Sequence, residues 1–207
     1  MAIVTPLDKA QAAESIQPVY DQVTRQVGHM LNMFKTLAYN PEMLQGFLAL
    51  NAALSKVELE PKYRELAYLK TSQLNRCSYC THYHQQAASK VGLTAEQAGG
   101  VAEYVNNPAY DDKEKTVLEY AAAVTSDVRA DEALIGRLKE FLSDRALVEL
   151  TVTIALANSR TGSTRRWRST CRDAECRISP SRLSENKGPG TLIPFPEDSD
   201  ARQVQDR

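Results

Sequence analysis

The sequence predicts an all-α protein, a helical bundle followed by a disordered C-terminal tail, and three observations carry that reading. Apolar residues recur at helical spacing, as in Val117, Tyr120, Ala121 and Val124, or Leu134, Ile135, Leu138 and Leu142. No segment alternates apolar and polar residues as a half-buried strand does. Capping residues, prolines and glycines fall between the periodic runs, where helices begin and end.

Taken in order, helices are expected near 13–27, 41–54, 61–73, 78–91, 95–105, 112–127, 131–142 and 145–158. Asn40-Pro41 signals the second, because a proline at the first helical position gives up an N–H that has no partner there. Glu60-Pro61 offers the same entry to the third. Gly92 closes the fourth, and Thr94 with Gln97 forms a capping box for the fifth, which Asn106-Asn107-Pro108 interrupts. The last helix presents Leu147, Val148, Leu150, Val152, Ile154, Ala155, Leu156 and Ala157 on nearly every side. It therefore belongs at the centre of the bundle or beneath a second subunit.

One domain, residues 1–158, accounts for this pattern, with residues 159–207 as a tail. The tail has prolines and glycines, no helical period, and an arginine cluster at Arg160, Arg165, Arg166 and Arg168. Trp167 alone does not make a stacking platform for nucleic acid, and the net charge of −1 supplies no field to attract one. No run of about eighteen apolar residues marks a membrane span. The opening Met1-Ala2-Ile3-Val4-Thr5-Pro6 lacks the basic start of a secretory signal, so a cytoplasmic location is expected.

In a reducing compartment, paired cysteines serve catalysis, redox sensing or metal binding more often than structure. Of the four cysteines, Cys77 and Cys80 have a spacing with chemical meaning, whereas Cys171 and Cys176 stand apart in the tail. They open the pattern C-x-x-C-x-x-x-H, which ends at His84. On a helix turning ~100° per residue, Cys77, Cys80 and His84 fall within an arc of roughly 60°, and His82 points away. A thiol attacks as the thiolate, so its surroundings must favour that form. A helix start after Asn75-Arg76 would favour Cys77, and His84, one turn on from Cys80, would favour Cys80. The histidine weighs more, because a base in contact can also return the proton to a leaving group. Attack of Cys80 on a peroxide would leave a sulfenic acid, which Cys77 would condense into a disulfide for an external dithiol to reduce. Zinc binding and inert buried thiols are the competing readings, but the tail would have to fold back to complete a zinc site. His29 and His82 read as surface or packing histidines, and Tyr63, Tyr68 and Tyr83 as packing residues.

With Glu65 the pattern extends to E-x11-C-x-x-C-x-x-x-H, and it resembles the active-site signature of alkylhydroperoxidase-D-like proteins in the carboxymuconolactone decarboxylase family. The likeness covers residues 20–158 and includes Arg64-Glu65-Leu66-Ala67. It implies a small all-α subunit assembled into trimers or multiples of trimers, hydroperoxide substrates, and no bound cofactor. It further implies a peroxidatic Cys80, a resolving Cys77, a Glu65–His84 proton relay, and a dithiol reductant such as a lipoyl-bearing protein. Some members have histidine just before the second cysteine, where this chain has Tyr79. Decarboxylase members lack the dithiol, so its presence argues against that reaction. Related proteins continue after this Ala-Asn helix end with Asn-Arg-Phe-Asn, a run that another reading frame of the codons for residues 160–171 would permit. The tail is accordingly also read as the product of a frameshift near residue 159.

Overall fold

The computed structural model describes residues 3–166, and all regular structure among them is helical. The helices are α1 (Gln17–Val27), α2 (Asn32–Leu37), α3 (Pro41–Ala53), α4 (Pro61–Leu74), α5 (Ser78–Lys90), α6 (Ala95–Gly99), α7 (Asp112–Asp127), α8 (Glu132–Lys139) and α9 (Asp144–Arg166). The caps expected from the sequence are in place. The Asn40 side chain accepts the Met43 N–H at 2.8 Å, and Thr94 and Gln97 close their reciprocal box. Helix α2 is not among the expected elements, since a single uncapped turn and a half shows no period; its Met33, Phe34 and Leu37 are buried. Helix α6 stops far short of 105, at Gly99. A Cβ on the next residue, Gly100, would lie 2.8 Å from both the Glu96 carbonyl and the Asn107 side chain, so only glycine permits this turn.

The apolar side chains gather in two clusters. Ile16, Tyr20, Val23, Phe34, Leu44 and Leu48 hold α1 to α3 together. Leu66, Leu69, Val117, Leu118, Leu138, Leu150 and Ile154 unite α4, α7, α8 and α9. Helix α4 occupies the centre, packed against α5, α7 and α9, and it buries Glu65, Lys70, Thr71 and Ser72 with its apolar residues. Lys70 is accommodated by bonds to the Val101 carbonyl at 3.0 Å and Gln73 Oε1 at 3.2 Å, and by the Tyr104 ring 4.9 Å away. Burial lowers its pKa. Of the two places expected for the apolar C-terminal helix, the centre falls instead to α4, which encloses polar and charged side chains. Helix α9 buries Leu150, Ile154, Leu156 and Ala157 within the chain but leaves Val148 exposed.

Helix α9 also runs past the helix end expected at Asn158, continuing through Arg166. The arginines and loss of apolar period suggest a tail, yet polar side chains here meet polar partners. Arg160 donates to Asn51 Oδ1, Asn75 Nδ2 donates to Asn158 Oδ1 at 2.7 Å and to Thr161 Oγ1 at 2.8 Å, and Thr161 is buried. Removing residues 159–207 is expected to cost on the order of 2–3 kcal/mol, at about 1 kcal/mol per lost hydrogen bond plus the burial of Thr161. The check is a lower denaturant midpoint at unchanged slope; an unchanged midpoint would mean that these contacts contribute nothing. The tail from 167 onward, with Trp167, Arg168, Cys171, Cys176 and most of the frameshift reading, lies outside the described residues.

Candidate active site

The site is built on the α4–α5 hairpin. Helix α4 ends as the Arg76 N–H bonds the Gln73 carbonyl and the Cys77 N–H bonds the Ser72 carbonyl, each at 2.9 Å. This pairing normally places glycine in the left-handed position, but here Arg76 holds it with φ of 52°. The chain reverses within a few residues, and α5 returns along α4. Cys77 is therefore the N-cap of α5 rather than a residue on its face: its Sγ accepts the Cys80 N–H at 3.3 Å. The two sulfurs form a disulfide, with Cα atoms 5.4 Å apart. Both cysteines are buried.

One turn beyond Cys80, His84 Nδ1 lies 2.7 Å from Glu65 Oε2, and its ring stacks on Tyr68 with centroids 3.7 Å apart. Burial pushes the Glu65 carboxyl up, but the charge and hydrogen bond of His84, then those of Arg64 with Nε 3.6 Å away, hold it below its ordinary value. An ionised carboxylate only accepts, so Nδ1 of His84 carries the proton that points toward Glu65. With its folded pKa depressed, Glu65 contributes its full stability above the unfolded value of about 4.3, and that contribution is lost as pH falls through the folded value. Glu65→Gln should be less stable than wild type at neutral pH, and the two should converge in acid. Chemical denaturation across pH checks this; a gap independent of pH would refute the linkage.

Beyond Tyr68 stands Arg160, whose guanidinium carbon is 5.7 Å from the Tyr68 ring centroid and 5.4 Å from that of Phe47. Burial pushes the Tyr68 phenol up to about 12, opposed by the Arg160 charge. The sequence pattern alone assigns Tyr68 to packing and Arg160 to the tail. Tyr68 follows Glu65 by one helical turn, a signal that the two share a face, whereas nothing local marks Arg160. Tyr79 packs on Tyr83 with centroids 4.7 Å apart. His82 Nε2 lies 2.9 Å from Gln86 Nε2, away from the dithiol's partners. His29 is half-buried. A polar pocket of about 470 Å³ opens beside the hairpin turn, lined by Leu74, Asn75, Arg76, Asn158, Thr161 and Gly162. Among the described residues no group of three or more His, Cys, Asp or Glu side chains is placed to hold a metal ion, and no helix is long and apolar enough to cross a membrane.

A buried, bonded cysteine pair at a helix start, on the same hairpin as a Glu–His pair, marks an all-α protein with a candidate dithiol site. Residues 41–123 match the carboxymuconolactone decarboxylase family, and the fold is similar to that of alkylhydroperoxidase-D-like structures. It is 31% identical over 101 residues to the uncharacterized protein YnjA of Escherichia coli, a match spanning 48% of this chain and only 56% of YnjA. The fold is that of a peroxidase-related protein from Ralstonia eutropha, described as an alkylhydroperoxidase AhpD core: TM-score 0.71, 22% identity, covering 84% of this chain and 93% of that one. The debrominase Bmp8 in complex with 2,3,4-tribromopyrrole is similar to the same degree, with TM-score 0.71 and 20% identity, covering 90% of this chain and 98% of that one.

Proposed function

We propose that the chain is a dithiol-dependent peroxidase reducing organic hydroperoxides, with Cys80 as peroxidatic thiol, Cys77 as resolving thiol, and Glu65 and His84 as proton relay. The observation that supports it best is the bonded Cys77–Cys80 pair on the same hairpin as the 2.7 Å Glu65–His84 contact. His84 takes the Cys80 proton on Nε2 while Glu65 holds the opposite nitrogen. The thiolate attacks the distal peroxide oxygen, the O–O bond breaks, and the proton returns to the departing alkoxide, giving an alcohol and Cys80 sulfenic acid. Cys77, whose sulfur accepts an N–H at the start of α5, then attacks the Cys80 sulfur and expels water. An external dithiol takes the place of Cys77, leaves as its own disulfide, and returns both thiols. Family resemblance favours a lipoyl-bearing protein for that role and a homo-oligomer in the cytoplasm. The exposed Val148 on α9 supports a subunit contact there.

Peroxide consumption with a small dithiol tests the reading. Turnover of cumene hydroperoxide supports it. Loss of bromide from 2,3,4-tribromopyrrole without peroxide turnover would instead favour the debrominase likeness. Reversible oxidation without turnover of either would leave a redox-sensing module, and stoichiometric zinc would leave a zinc-stabilised oligomerisation module.

A further inference from the structure

Ser72 is fully buried, and its hydroxyl has no hydrogen-bond partner among the described residues. Burying an unpaired hydroxyl is costly, and such a group calls for an explanation. Its place on the hairpin supplies one. Helices α4 and α5 run in opposite directions, and Tyr68 of α4 stacks on His84 of α5. One turn further along α4 from Tyr68 is Ser72, and one turn back along α5 from His84 is Cys80. Ser72 also binds the other end of the dithiol through its carbonyl, which accepts the Cys77 N–H at 2.9 Å. The register thus sets Ser72 across from Cys80, while its carbonyl holds Cys77.

We propose that Ser72 is a positioning residue of the redox site, whose hydroxyl donates a hydrogen bond to the Cys80 thiolate once the disulfide is reduced. This rests on the dithiol reading but not on the identity of the oxidant. The hydroxyl makes no hydrogen bond to either sulfur of the disulfide; reduction parts the two sulfurs, and a thiolate is a far stronger acceptor than a disulfide sulfur. On reduction the external dithiol supplies two electrons and the protons, the S–S bond breaks, and His84 takes the Cys80 proton. The bond from Ser72 then stabilises the anion that remains. The hydroxyl is therefore partnered in the reduced form alone, which favours reduction and makes Cys80 more reactive at neutral pH.

The experiment uses the full reduced chain in a Cys77→Ser background, so that iodoacetamide reports Cys80. Hydrogen bonds to charged groups correspond to about a tenfold effect or more. Ser72→Ala should therefore alkylate about tenfold more slowly at pH 7, with the gap closing above the ordinary thiol pKa of about 8.5. Ser72→Thr, which keeps the hydroxyl, should stay near the parent rate. With both cysteines present, Ser72→Ala should shift the dithiol–disulfide equilibrium about tenfold toward the disulfide, or about 30 mV. Its melting temperature in the oxidised state should not fall, because the variant removes an unpaired buried group. Equal alkylation rates at pH 7, or a deficit that persists at alkaline pH, would overturn the proposal. So would a drop in oxidised-state melting temperature shared by Ser72→Ala and Ser72→Gly, which would show that the hydroxyl is already a structural partner. Alkylation needs no peroxide, so a chain that failed to turn over hydroperoxide would still reveal whether Ser72 acts on Cys80.

Discussion

Cys80→Ser is expected to abolish peroxide turnover, and Cys77→Ser to permit one oxidation per site before the reaction stalls. The two losses differ in kind. A serine at position 80 cannot form an anion at neutral pH, so the O–O bond is never attacked. A serine at position 77 leaves the attack intact but provides no second sulfur, and the sulfenic acid accumulates. Rapid mixing with excess cumene hydroperoxide should show a burst of one equivalent for Cys77→Ser, and dimedone should trap a single adduct on Cys80. Cys77 sits at the N-cap, where the Cys80 N–H favours its thiolate, so the opposite assignment is the competing outcome. Dimedone would then mark Cys77 in a Cys80→Ser protein. Full multiple turnover by Cys77→Ser would remove the two-cysteine mechanism altogether.

His84→Ala should slow peroxide reduction by ~10²–10⁴-fold at neutral pH, the usual contribution of general-base assistance. The deficit should shrink as pH rises, because hydroxide then generates the thiolate that the imidazole no longer supplies. Glu65→Gln should produce a smaller loss of the same form. An amide can still hold the ring, but it cannot stabilise the imidazolium that forms when the proton moves. Pre-steady-state rates against pH check both variants. If the profile of His84→Ala is parallel to that of wild type, the start of α5 alone activates the dithiol, where the Cys80 N–H already meets Cys77 Sγ at 3.3 Å.

Much of this protein can be read along the chain. The sequence by itself determined that the fold is helical and where α3, α4, α5 and α7 begin, and it nominated the four residues of the candidate site. These depend on local rules: a capping side chain and a proline act within one turn, and C-x-x-C-x-x-x-H shows its chemistry in its spacing. Only the tertiary structure decided which helix is central. Hydropathy points to α9, yet α4 is enclosed on more sides, with Glu65, Lys70 and Ser72 inside. A buried charge is tolerated when a partner meets it, and the shortest contacts of Glu65 and Lys70 reach His84 on α5 and Val101 after α6, distant in sequence. Arg160 shows the same limit. Its composition reads as tail, but α9 carries it to Asn51, Phe47 and Tyr68. Propensity and periodicity report what a residue does to its own turn; whether a polar side chain is solvated or enclosed depends on which groups the fold brings to it.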